Sequence, residues 1–458
     1  MKKSILIVAL LLVIIAILPI IGNSFMKSRI DERILKLDSF GLATTKDDTN
    51  STYLNTSRHF EFILKDSQKF KEYIKQYSDK QMPTYVDALL SGMLVGADVE
   101  YSNLPFAKAF SIDIYPIALS SSAQEKIALN DLALSVYVEK FLQNKGIFYH
   151  IEYNLLNDDF KGHIKEIDEK YTYKNQIKIE AKLEKAHFSG NGPLVAPNKL
   201  KSKIKELYLN IKQDSMALKM AFKKFSAKSN FETKSTYVTS AEIKEVDLTL
   251  SGTQNDINIS MQKIKLNGSS NDQGATTELN SKVSVKEMEY NSQGVGFSLN
   301  KLELDVALNE LNKEKFESLR VMMSQKENLE SFLEEKELQN AMLELLSKGL
   351  LLEIANFSLK SIEMDNGDDL KGFKIKSKIT IKEDTSLAQK IQLSPLLAIS
   401  NIDLLSNIRL SKEIYMLLLN SQPILQTLTR YVKEDGDYYI FDIKFINSQM
   451  SINDKALY

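Results

Sequence analysis

Apolar and polar residues alternate along most of the chain between residues 93 and 308. In Ile177–Leu183, Val246–Leu250 and Leu302–Leu308 every second side chain is apolar. A period of two residues is typical of antiparallel strands that are covered on one face and wet on the other. Turn signals such as Asn267–Asn271 and Asn291–Gly294 separate the segments. The pattern predicts an antiparallel meander, because no helical segment long enough for parallel crossovers lies between 170 and 308.

The period changes to 3.6 residues in three other stretches. Phe70, Tyr73 and Tyr77 recur at helical spacing, and Asp66 or Ser67 precedes them as a capping residue at the start of the predicted helix. Residues 312–348 predict two helices that end at Gly349, and residues 403–432 predict a further helical stretch broken by a proline. Strands resume at Leu350–Met364, Phe373–Ile381, Tyr438–Ile446 and Met450–Ile452. We therefore predict an α+β, β-dominant fold: an elongated antiparallel β-meander with helical segments in its N-terminal and C-terminal parts.

The chain begins with Lys2-Lys3 and the apolar run Ile5–Ile21, which has 17 residues. A run of this length lies at the lower limit for spanning a bilayer, and the lysines favour a cytoplasmic N-terminus. We expect residues 1–25 to form a transmembrane signal-anchor, with a cleaved signal peptide as the alternative. Residues 26–58 are expected to be a stalk with a loop across Thr44–Thr52, and residues 59–458 an exported body. The expected location is the bacterial inner membrane, single-pass, held through residues 5–21 with the body in the periplasm.

Composition narrows the function classes. The 458 residues carry a formal net charge of −1, which gives no support for a nucleic-acid partner. The chain has no cysteine, so disulfides, thiolate catalysis and zinc–thiolate sites are excluded. Stability must therefore come from packing.

Few residues point to chemistry. The four histidines are His59, His150, His163 and His187. A metal site at His150 and His163 would need both rings and a carboxylate to converge, and we interpret His150 as a residue on the polar face of a strand. Asp365–Asp369 is interpreted as a hairpin turn, since it lacks the spaced ligands of a calcium loop. We predict no enzyme: no catalytic residue, no metal ligand and no cofactor.

The apolar faces of the strands leave two interpretations open. The sheet can fold onto itself and its helices, or a half-open sheet can hold lipid tails on one face. The candidate residues of such an apolar ligand face are Val246, Leu248, Leu250, Ile257, Ile259 and Met261.

Several segments resemble the YdgA-like family of bacterial envelope proteins, a domain of unknown function. They are Tyr53–Phe60, Tyr149–Asn154, Phe160–Ile164, Tyr431–Tyr439 and Met450–Lys455. In the last one Asp454 stands where the family pattern has glycine. The resemblance implies an inner-membrane anchor and a periplasmic body, and it provides no catalytic residues.

These observations predict a non-catalytic binding or structural role in the cell envelope. One alternative is a lipid-binding or acyl-chain transfer protein that uses the apolar face of a curved sheet. A second alternative is an unrecognised hydrolase. The expected partners are a lipid or an envelope protein.

Overall fold

A computed structural model describes residues 2–77, 90–104, 109–174, 176–194, 196–233, 235–252, 256–324, 336–365, 367, 369–421 and 423–457. It confirms the predicted class, with 58% strand and 26% helix around one large antiparallel meander sheet, and helices in the N-terminal and C-terminal parts. The chain divides into two compact units, residues 1–205 and 206–458.

Unit 1 begins with a long helix and continues as a meander in which each strand pairs with an antiparallel neighbour. Its elements are α1 (Lys2–Ser39), β1 (Leu42–Ser51), β2 (Asn55–Leu64), α2 (Ser67–Tyr77), β3 (Leu94–Ser102), β4 (Ala109–Ala118), α3 (Ser121–Asn130), α4 (Leu132–Gln143), β5 (Tyr149–Asn154), β6 (Asp159–Ile164), β7 (Ile167–Tyr173), β8 (Ile177–Glu184), β9 (Ala186–Asn191) and the first residues of β10 (Lys199–Gln213). The spatial order is β1-β2-β3-β4-β5-β6-β9-β10, with β7 and β8 paired to each other.

The C-terminal half of α1 covers the beginning of this sheet. Met26 is buried against Phe60 and Phe62 of β2, and Ile30 and Ile34 pack beside it. Gly41 then turns the chain with φ +84°, a conformation in which glycine is favoured, and a Cβ there would lie 2.1 Å from the carbonyl oxygen of residue 66. The expected capping residue is also in place, since Asp66 Oδ1 accepts from the backbone amides of residues 68 and 69 at the start of α2.

The loop predicted across Thr44–Thr52 is instead most of strand β1. Leu42–Ser51 pairs along its whole length with β2, and its polar side chains are exposed. Every residue from Thr44 to Ser51 is polar, so neither face of the strand shows an apolar period and the sequence pattern could not reveal it.

The N-terminal expectation is contradicted. The run Ile5–Ile21 lies inside α1, which continues without a break to Ser39 through charged residues such as Arg29 and Lys36. Among the residues that the structure describes, we find no helix that combines the length and the apolar character needed to cross a membrane. The run of 17 apolar residues reaches only the lower limit for spanning, whereas a typical transmembrane helix has about 20. The transmembrane helix, the signal-anchor and the single-pass inner-membrane location are therefore corrected, and the periplasmic placement has no support.

Unit 2 contains the longest strands. Its elements are the remainder of β10, β11 (Met216–Phe231), β12 (Tyr237–Ser251), β13 (Ile257–Gln273), β14 (Thr276–Ser292), β15 (Val295–Asn312), α5 (Lys313–Ser324), α6 (Lys336–Ser347), β16 (Leu350–Met364), β17 (Asp369–Ile381), α7 (Leu387–Leu393), α8 (Pro395–Ala398), a 3-10 turn (Ile399–Asn401), β18 (Ile402–Ser411), α9 (Lys412–Ser421), a 3-10 helix (Pro423–Tyr431), β19 (Lys433–Asp435), β20 (Tyr438–Ile446), β21 (Gln449–Ile452) and β22 (Lys455–Ala456). Consecutive strands from β11 to β18 are antiparallel neighbours, and β18 pairs with β20.

Two predictions in this unit are wrong. The helical stretch predicted over 403–432 begins with strand β18, and only residues from Lys412 onward are helical. Leu404, Leu405 and Ile408 fit a helical period, whereas Leu404, Ile408 and Leu410 also fit alternation, and pairing with β17 and β20 decides for the strand. Asn267 and Gly268 do not turn the chain either, because both lie inside β13 and pair with β12 and β14.

Helices cover parts of the apolar side of this sheet. Leu319 of α5 and Leu338 and Leu345 of α6 are buried against Leu311 and Leu350 of the strands. Near the C-terminus, Tyr415 of α9 is buried with Phe441 and Ile452. Gly349 follows α6 with φ +77°, as predicted for its end.

Candidate functional site

The structure brings the six predicted apolar residues together on β12 and β13. They form three directly opposite pairs: Val246 with Met261, Leu248 with Ile259, and Leu250 with Ile257. Directly opposite side chains in an antiparallel pair lie on the same face within contact distance. The six residues therefore form a continuous apolar patch.

The patch belongs to apolar rows that cross many strands. One row runs from β11 to β17 and consists of Phe222, Val246, Met261, Met288, Leu299, Ile362 and Leu370. A second row runs from β12 to β20 and consists of Ala241, Leu266, Val283, Leu304, Phe357, Ile375, Ile408 and Phe441. We call the side of unit 2 that carries these rows the apolar face.

In all strands from β11 to β16, the alternation of apolar and polar residues shifts by one residue, and these shifts lie side by side across the sheet. On β12, Ile243 and Val246 lie in one apolar cluster although they are three residues apart, so strict alternation fails between them. On β11, β13 and β15 the change coincides with Lys224, Lys263 and Lys301, whose φ values are +56°, +51° and +51°. One extra residue per strand keeps the cross-strand register while it keeps the apolar side chains on one face.

The apolar face is unevenly covered. Around Val246, Ile264 and Val285, the partly buried hydrophobic neighbours found among the described residues all lie on strands: Phe222, Ile243, Met261, Met288 and Leu302. Leucines of the same face remain open to solvent, with exposures of 45% for Leu250, 40% for Leu266 and 36% for Leu304. By contrast, Leu311 of β15 and Leu338 of α6 are each 2% exposed where helices pack on the sheet.

Unit 1 carries a second arrangement, which the sequence analysis missed. All four histidines fall in one cross-strand row with two aspartates, in the order His59, Asp98, Asp113, His150, His163 and His187 on β2, β3, β4, β5, β6 and β9. We call this the His–Asp row. The sequence signal was present only as polar positions within alternating strands, and the alignment depends on long-range register.

Asp98 is the most connected member of the His–Asp row. Its Oδ1 lies 2.6 Å from His59 Nδ1, and its Oδ2 accepts from Lys145 Nζ at 2.8 Å and from the Tyr115 hydroxyl at 3.0 Å. Burial raises the pKa of Asp98, but the hydrogen bonds from Lys145, His59 and Tyr115 outweigh it and leave the pKa below its ordinary value. The hydrogen bond to Asp98 raises the pKa of His59, against an opposing effect of burial.

The other half of the row has one such pair and two tilted contacts between histidine rings. His150 Nδ1 lies 2.6 Å from Asp113 Oδ1. The ring of His163 lies 5.0 Å from that of His150 and 6.1 Å from that of His187, measured between centroids. Burial lowers the pKa of His163, and the neighbouring His150 and His187 lower it further. These groups can hold protons and orient one another through hydrogen bonds.

The histidine rings do not converge on a common point. In the described part of the chain, no group of three or more histidine and acidic side chains is placed to hold a metal ion. Asp365 follows β16 and Gly367 has φ +86°, as a hairpin turn requires, whereas Asn366 and Asp368 lie outside the described residues.

Comparisons with protein-family models, with curated proteins and with solved structures gave no match. The resemblance to the YdgA-like family therefore stays a prediction, and no residue role comes from a relative.

Proposed function

We propose that this protein binds the acyl chains of lipids on the apolar face of unit 2, in a non-catalytic role. One observation carries the proposal. The apolar rows continue across β11 to β17, and they include leucines that are more than a third exposed although neighbours on both sides are apolar. A contiguous exposed apolar surface of this kind marks an interaction site.

The chemistry of the face favours hydrocarbon over a protein segment. The row through Val246 consists of aliphatic, thioether and phenyl side chains on seven neighbouring strands, with no charged residue between them. An acyl chain needs no hydrogen-bond partner, whereas a bound peptide brings backbone donors and acceptors that would be left unsatisfied on this surface.

The dimensions also suit an acyl chain. Seven neighbouring strands spaced about 4.8 Å apart give a row of roughly 29 Å. One acyl chain fills about half of a hydrocarbon core that is roughly 30 Å thick, so a chain fits along a single row. Each methylene that the face removes from water contributes about 0.8 kcal/mol, which makes a chain of ordinary length a sufficient ligand.

The test is the lipid content of the gently purified full chain, measured by native mass spectrometry and by solvent extraction. We expect bound phospholipid in the wild type and its loss in Leu248→Asp/Ile259→Asp. The matched control is Thr249→Asp/Asn258→Asp, because these residues form the next opposite pair on the same two strands and project to the other face. The control should keep its lipid.

Leu250→Asp provides a milder variant, since its side chain is already 45% exposed and the fold should tolerate the charge. Circular dichroism shows whether each variant is folded. A wild type that is lipid-free and takes up no added phospholipid would overturn the proposal. Loss of a defined protein partner in the same variants, with no lipid, would support a structural role through protein binding instead.

A further inference from the structure

Six lysines lie side by side across the strands of unit 2, at the positions where the alternation of apolar and polar residues shifts by one. They lie on six consecutive strands, β11 to β16: Lys224, Lys244, Lys263, Lys286, Lys301 and Lys360. We call them the lysine row.

The register places each lysine opposite the next. Lys223 pairs with Glu245 and Ser226 with Glu242, so Lys224 stands opposite Lys244. The pair Ile243–Ile264 places Lys244 opposite Lys263 in the same way.

The remaining strands continue the alignment. Between β13 and β14, the flanking pairs Gln262–Glu287 and Lys265–Ser284 place Lys263 opposite Lys286. The pair Val285–Leu302 then places Lys286 opposite Lys301.

The last step reaches β16, where Asn300–Ser361 and Glu303–Ser358 place Lys301 opposite Lys360. At a strand spacing of about 4.8 Å, the row is roughly 24 Å long.

The lysine row has no internal counter-charge. All six side chains belong to exposed residues, and none of them forms an ion pair with another residue that the structure describes. Like charges directly opposite each other in a sheet are destabilising. A repeated arrangement that costs stability indicates a ligand that relieves it.

The neighbouring rows restrict what that ligand can be. From β11 to β16, the row on one side contains Lys223 with Glu245 and Glu287, and the row on the other side contains Lys265 with Glu242 and Glu303. Each neighbouring row is therefore net negative by one charge. A flat anionic surface would meet these carboxylates as well as the lysines, whereas a narrow chain of negative charges would meet the lysines alone.

We propose that the lysine row binds a linear polyanion, a chain molecule with repeated phosphate groups. Aromatic side chains are absent from the lysine row and from its two neighbouring rows over the described strands, so base stacking would add nothing and a nucleic acid is not the expected form. The site is separate from the apolar face and does not depend on acyl-chain binding.

The probe is medium-chain inorganic polyphosphate, titrated into the full chain by calorimetry at low salt. We expect Lys263→Gln/Lys286→Gln to weaken binding roughly ten- to thirty-fold, since each lysine near a dense anionic array contributes about 1 kcal/mol, or five-fold. The slope of log affinity against log salt should fall by about two, one unit for each lysine removed.

The control is Lys228→Gln/Lys265→Gln, which removes the same charge from exposed lysines of β11 and β13 outside the row. It should change the affinity less than three-fold. Equal losses in both double variants, or no binding of polyphosphate at low salt, would overturn the proposal.

Phosphatidylglycerol vesicles form the second arm of the experiment. Lysine-dependent binding to vesicles without binding to polyphosphate would replace the linear polyanion with a membrane surface and would also overturn it. Because the lysine variants leave the apolar face unchanged, failure of this proposal does not alter the lipid content expected for the wild type.

Discussion

Two rows of ionisable side chains cross the strands of this protein, one in each unit. In the His–Asp row, Asp98 and Asp113 lie next to each other between His59 and His150, and each carboxylate holds one imidazole at 2.6 Å. In the lysine row, six positive charges follow one another with no such partner among the described residues. Both rows depend on strands that keep their register over long distances.

The presence or absence of charge partners distinguishes side chains that stabilise the fold from side chains that bind a ligand. A half-buried charge whose partners are in place favours folding, while its removal leaves the partners unsatisfied. A row of exposed like charges disfavours folding slightly and gains its partners only from a ligand. We therefore assign the connected part of the His–Asp row to stability, and the lysine row to recognition.

The largest expected effect comes from removing the most connected carboxylate. Asp98→Asn keeps the shape but weakens the hydrogen bonds to His59, Tyr115 and Lys145, and we expect a loss of about 2 kcal/mol in the free energy of unfolding. Urea denaturation measures it.

Asp113→Asn is the matched control, because His150 is the side chain that Asp113 holds at 2.6 Å. Its loss should be about half as large. Equal losses in the two variants would show that the number of partners at Asp98 does not set its contribution.

The sequence predicts most strands, but it does not predict which face of the sheet each residue lies on along the whole length of a strand. Ile257–Met261 and Leu302–Leu308 alternate cleanly, so β13 and β15 were predicted from local pattern. On β12, Ile243 and Val246 lie on the same face although they are three residues apart, which is not compatible with strict alternation. A period of two cannot describe a strand that contains one extra residue in its middle.

The candidate sites show the same limit. The six residues from Val246 to Met261 were predicted as one face because they lie on adjacent strands and share a period. The alignment of His59 with His150 requires the pairing of β2, β3, β4 and β5, which no local signal contains. Register is a long-range property, so rows across many strands become visible only in the structure.

A smaller effect of opposite sign is expected in unit 2. Lys263→Gln/Lys286→Gln removes two like charges from the centre of the lysine row, and the free energy of unfolding should rise by about 0.5 kcal/mol in the absence of a ligand. The gain should shrink at high salt, where exposed charges are screened. A loss of stability in this variant would mean that the lysines have a structural role, and it would remove the contrast between the two rows.

The smallest effect is the pH dependence within the His–Asp row, where two histidines act in opposite directions. The pKa of His59 is raised, so its contribution to stability is present in full below its ordinary pKa of about 6.5 and is lost as the pH rises through the folded pKa. The pKa of His163 is lowered by burial and by its neighbours His150 and His187, with Asp113 and Glu152 opposing them. Its protonation therefore destabilises the fold, and stability falls as the pH drops below about 6.5 toward the folded pKa.

His59→Gln and His163→Gln separate the two contributions when unfolding is measured between about pH 5 and 8. The stability difference, wild type minus variant, should decrease with rising pH for His59→Gln and increase for His163→Gln. In the wild type the two slopes oppose each other, which makes its own pH dependence the weakest signal of the three proteins. Slopes of the same sign in both variants would mean that Asp98 at one end and the crowded rings at the other do not shift the pKa values of His59 and His163 in opposite directions. The row would then titrate as one coupled group, whose apparent pKa values belong to the row as a whole and not to single histidines.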